Sequence, residues 1–74
     1  MQTFTKQEYA DAYRQEYGYD GGVEVNRFSY DSRVGVHHVY LTLRDRGSAK
    51  NQSRSVHAVF ILNTSTGRLR AMRN

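Results

Sequence analysis

Seventy-four residues, 38% of them hydrophobic, are enough for one small folded domain and too apolar for a disordered chain. The absence of cysteine excludes disulfides and thiolate zinc sites, and says nothing about compartment. The net charge of +4 hides an asymmetry: residues 1–31 hold six of the seven acids, whereas residues 32–74 hold one acid, Asp45, and eight of the eleven bases. No apolar run reaches the ~18 residues of a membrane span, and the N-terminal "MQTFTKQEYADAYRQ" has no apolar secretory core, so a cytoplasmic protein with no membrane partner is expected.

The chain opens with a helix expected over residues 6–17. Thr5 and Glu8 form a T-x-x-E capping box, in which each side chain satisfies a free amide of the first turn. Phe4 before the cap and Tyr9 at the fourth helical position match a hydrophobic staple. Tyr9, Ala10, Ala12, Tyr13 and Tyr17 share one arc of a 3.6-residue wheel, and Gly18 can take the left-handed conformation that ends the helix.

Four strands follow: "VEVNRFSY" (23–30), "VGVHHVYLTLR" (34–44), "RSVHAVFILN" (54–63) and "RLRAMR" (68–73). The segments between them carry turn residues, with Gly67 the expected positive-φ position. The fold class is therefore α+β: one N-terminal amphipathic helix packed on a four-stranded antiparallel β-meander, as a single domain over 1–74.

Opposed residues in an antiparallel pair have a constant index sum and point to the same face, which makes register a matter of parity. Pairing Leu62 with Leu69, Val39 with Phe60, Leu41 with Ala58, and Val25 with Val39 gives one consistent inner face. It consists of Val23, Val25, Val39, Leu41, Leu43, Val56, Ala58, Phe60, Leu62, Leu69 and Ala71. The helix tyrosines are expected to cover it.

The same parity assigns Phe28, Tyr30, Val34, Val36, His38, Tyr40, Thr42, Arg44, His57, Val59, Ile61, Arg68, Arg70 and Met72 to the outer face. One helix cannot cover both faces of the sheet. Phe28, Val36, Tyr40, Val59 and Ile61 would form a contiguous patch of several hundred Å², where monomers rarely expose more than ~300–600 Å². The function expected is a small non-enzymatic protein-binding module that acts by occupying a surface. Phe28, Val36, Tyr40, Val59, Ile61 and Met72 would be its anchors and Arg44, Arg68 and Arg70 its rim. The partner would be a second copy of the chain, forming a homodimer, or a larger target with an acidic patch. Pairing through the last strand's edge is a second route to a dimer.

The alternative is nucleic-acid binding through Arg33, Arg44, Arg46, Lys50, Arg54, Arg68 and Arg70, with Tyr40 and Phe28 stacking bases beside the basic loop 44–54. The central aliphatic positions and the acidic first third of the chain argue against it.

No catalytic motif occurs, and neither a cofactor nor a small-molecule substrate is expected. No metal is expected either. His37 and His38 are adjacent on a strand and must face opposite ways, while His57 is placed opposite Thr42, too far from His38. In size and simplicity the chain is similar to small phage-encoded inhibitors of host machinery such as anti-CRISPR proteins, a likeness that no residue motif carries.

Overall fold

A computed structural model of the chain describes residues 3–45 and 53–72. Its order is α1 (Lys6–Tyr17), β1 (Gly22–Asp31), β2 (Val36–Arg44), β3 (Ser53–Asn63) and β4 (Arg68–Ala71), with the strands side by side in chain order in one antiparallel sheet. The α+β meander read from the sequence is the architecture observed.

The helix begins and ends on the expected residues for the expected reasons. The Thr5 side chain accepts from the Glu8 amide, and Glu8 Oε1 accepts from the Thr5 amide at 2.8 Å. Phe4 and Tyr9 meet edge to face at 5.8 Å, closing the staple. At the other end Gly18 adopts φ 62° and its amide bonds the Arg14 carbonyl. Tyr9, Ala10 and Tyr13 are buried against the sheet, but Tyr17 is 45% exposed and lies over Tyr13 instead of entering the core.

All eleven residues assigned to the inner face belong to the core. Val25, Val39, Leu41, Leu43, Ala58, Phe60 and Leu69 are buried, and Val23, Val56, Leu62 and Ala71 pack against them. The β3–β4 register is as expected, with Leu62 opposite Leu69 and Phe60 opposite Ala71 around Gly67 at φ 72°.

The other two registers differ. β2 and β3 pair Leu41 with Val56 and Val39 with Ala58, a slip of two residues that leaves every face assignment intact. β1 departs more deeply. Its turn is Ser32–Gly35, with Gly35 at φ 68° and its amide bonded to the Asp31 carbonyl, so Asp31 stands opposite Val36. Val34 therefore sits in the turn, 67% exposed, and not in the strand. A bulge at Asn26 then inserts one unpaired residue between Val25, opposite Leu41, and Arg27, opposite Tyr40.

One inserted residue reverses parity. Phe28 stands opposite Val39 and Tyr30 opposite His37, so both turn inward and neither joins the outer face. Phe28 packs on Tyr9 at 4.8 Å between ring centres. As an anchor of an outer patch, Phe28 is excluded.

Candidate binding face

The outer face is built in rows that cross the sheet. Asp31, Val36, Ile61 and Arg70 form one row; Ser29, His38 and Val59 form the next, with the Met72 amide bonded to the Val59 carbonyl at 2.8 Å. Then come Arg27, Tyr40 and His57, followed by Glu24, Thr42 and Ser55, and finally Gly22, Arg44 and Ser53. The face is graded along the strands, aliphatic at one end and polar at the other.

The aliphatic end holds four of the expected anchors. Ile61 is 38% and Met72 46% exposed, and Val59 is half-buried beside them. Val36 belongs to this row but is only 7% exposed, so it supports the patch from beneath and offers little contact area. The patch is narrower than expected, reduced at both Phe28 and Val36.

The middle row is a stack of planar groups. The Arg27 guanidinium lies 4.3 Å above the Tyr40 ring, and His57 lies on the β3 side of that ring at 4.6 Å with planes only 8° apart. His57 then meets His38, with ring centres 5.1 Å apart and His38 Nδ1 3.0 Å from His57 Nε2. This corrects the placement of His57 opposite Thr42. The two-residue slip between β2 and β3 sets it opposite Tyr40, diagonal to His38. Asn26, the bulged residue, donates from Nδ2 to Thr42 Oγ1 at 2.8 Å and extends the polar end.

The arginines do not form one rim. Arg44 sits three rows from Val59 and Met72 and pairs with Glu24 at 3.8 Å. Arg70 reaches round the edge of β4 to Glu16 of α1 at 3.4 Å, and Glu16 Oε1 also accepts the Ala71 amide at 2.9 Å. Because Met72 donates inward to Val59, the Ala71 amide points outward, and the helix carboxylate covers that part of the β4 edge. Arg68 remains at the aliphatic end, exposed, with no ion pair among the described residues.

The same contacts bear on the nucleic-acid candidates. Arg33 pairs with Asp31 and Arg54 with Asp45, at 3.4 and 3.6 Å, so four of the seven basic candidates face a carboxylate. Arg46 and Lys50, like most of the basic loop, lie outside the described residues. Both faces of the Tyr40 ring are already covered by Arg27 and His57, which leaves no face for a base.

On the inner side, His37 is buried and the sequence reading gave it no role. Its ring stands among Phe4, Tyr9 and Tyr30, with Nδ1 2.9 Å from the Tyr9 hydroxyl and no hydrogen-bond partner for Nε2 among the described residues. Burial lowers its pKa below the ordinary 6.5 and raises that of Tyr9 above 10.0. The "VHHV" pair thus divides by alternation into one core histidine and one surface histidine.

No group of three or more His, Cys, Asp or Glu converges among the described residues. No helix there is long and apolar enough to cross a membrane. No protein-family model, curated protein or solved structure matches the chain.

Proposed function

We propose that the chain is a small non-enzymatic module that binds a protein, a second copy of itself or a larger target, by laying the aliphatic end of its outer sheet face on that partner's surface. The observation that supports this reading is the row structure. Ile61 and Met72 lie exposed at one end of the face, with half-buried Val59 and exposed Arg68 beside them. Exposed aliphatic and methionine side chains next to an arginine are the composition of an interface core and its rim.

The double substitution Val59→Lys and Ile61→Lys tests it. Both side chains point away from the helix-covered core, so the circular dichroism spectrum should be unchanged while self-association by light scattering, and capture of the partner, are lost. Unfolding of this variant, or binding that survives it, would overturn the reading. The nucleic-acid alternative predicts affinity that falls steeply with salt and drops on Arg→Ala changes at 44–54, which an electrophoretic shift assay across salt would reveal.

A further inference from the structure

We propose that His38 and His57 form half of a transition-metal site, completed by the same two residues of a second copy, so that one divalent ion of the zinc, nickel or copper class bridges two outer faces. The inference rests on the reading of this face as the contacted surface and names both the partner and what holds it.

The geometry begins with the bite. His38 Nδ1 and His57 Nε2 are 3.0 Å apart. Two nitrogens bound at about 2.0–2.1 Å to one ion stand about 2.9 Å apart in a tetragonal site and about 3.4 Å apart in a tetrahedral one. The pair falls within that range, so chelation needs rotation of the rings and not movement of the strands. The strands hold it there: His38 and His57 are diagonal neighbours on β2 and β3, and His57 is braced on its far side by Tyr40, itself backed by Arg27. A neutral imidazole that now donates across the pair would shift its proton to its other ring nitrogen, freeing both facing lone pairs for the ion.

The second copy is required by what is missing. A structural site of this class takes four ligands, and no third His, Cys, Asp or Glu converges with the pair among the described residues. Two positions on the ion therefore face away from the sheet. A twofold axis through the ion brings an identical pair to those positions, because an isologous contact presents the same patch twice. The same contact would cover Val59 and Met72, which lie in the row shared with His38.

The chain allows a clean test, because it has three histidines and no cysteine, and the third histidine, His37, is buried on the other face. Chelator-treated full-length chain without an affinity tag is titrated with Zn2+ while its mass is followed by light scattering. The expected result is a doubling of mass that saturates at one ion per two chains and reverses with EDTA. Co2+ should give the strong visible absorption of a four-coordinate site. His38→Gln and His57→Gln should each abolish the doubling and the Co2+ spectrum while leaving the metal-free circular dichroism spectrum unchanged. No uptake, uptake of one ion per monomer without change of mass, or doubling that survives both substitutions would overturn the proposal. If Zn2+ fails to double the mass but Val59→Lys with Ile61→Lys still abolishes partner binding, this inference falls and the proposed function stands. If the metal dimer forms and that double variant binds its partner unchanged, the proposed function falls instead.

Discussion

Lowering the pH from 7.5 to 5 should draw a destabilising contribution from His37. The folded state holds its imidazole neutral, buried among Phe4, Tyr9 and Tyr30, with a pKa lowered by desolvation. The unfolded chain titrates near the ordinary 6.5. Below that value the unfolded chain binds a proton that the folded chain refuses, so stability falls as pH drops and goes on falling until the folded imidazole itself protonates. The dependence is half its maximum at pH 6.5 and fades about one unit above it, where neither state binds the proton.

The limiting slope for one proton is about 1.4 kcal/mol per pH unit. Over the 1.5 units between 6.5 and 5 the loss approaches about 2 kcal/mol, a ceiling reached when the folded pKa lies below that range. A chain of this length typically holds about 4–11 kcal/mol in all, and a loss at that ceiling would correspond to a fall in Tm of about 8–16 °C.

Urea unfolding at several pH values, followed by far-ultraviolet circular dichroism because the chain lacks tryptophan, measures the slope. The reference is Tyr9→Phe with His37→Phe, which replaces both members of the buried hydrogen bond by apolar rings of similar shape at little cost. It keeps the other two histidines, so the difference between the two slopes belongs to His37. Equal slopes in the two proteins, or a wild type more stable at pH 5 than at pH 7.5, would refute the reasoning.

Other outcomes test the corrected fold. Phe28→Ala should cost about 3 kcal/mol in urea unfolding, because its ring packs on Tyr9; an outward-facing Phe28 would cost almost nothing. Gly21→Ala should destabilise by about 1–3 kcal/mol, since an added Cβ strikes the Arg44 carbonyl oxygen and the Tyr19 ring, and a neutral result in thermal melts would contradict that contact. Glu16→Ala should cost about 1–3 kcal/mol and raise self-association by exposing the Ala71 amide on the β4 edge, whereas Glu16→Gln keeps an acceptor there and should be milder on both measures.

The parts of the fold that were legible in the sequence are those set by local chemistry or by strict alternation. Thr5, Glu8 and Gly18 bound the helix because the satisfaction of its end groups is decided within a few residues. The inner face emerged because a period of two survives any even slip, so the wrong β2–β3 register still gave the right core. What an even slip does change is which residues stand side by side, and the neighbours of His57 differ from expectation for that reason. The expected register puts His57 four residues along β2 from His38, and the observed slip halves that to a diagonal contact. Gly35 could have signalled the longer turn, since "RVGV" places a glycine where a left-handed residue closes it. The bulge at Asn26 has no comparable local signal, because asparagine in a strand is compatible with several conformations.

That bulge also explains why the outer face has two chemistries. Without it, Phe28 and Tyr30 would alternate outward and continue an apolar patch across all four strands. With it, Phe28 joins the core and Tyr30 closes the cage around His37, while Asn26 and Arg27 face out together. Arg27 is thereby set over Tyr40, and Tyr40 in turn is held flat against His57. A Tyr40 ring flanked by Arg27 and His57 offers no face to a base, and it backs His57 where that ring meets His38 beside a short aliphatic strip. The single extra residue in β1 thus removes aromatic area from the surface and makes the remainder directional. On the proposed reading of this face as a contact surface, it would favour a partner of matched geometry over one that adheres to a broad apolar sheet.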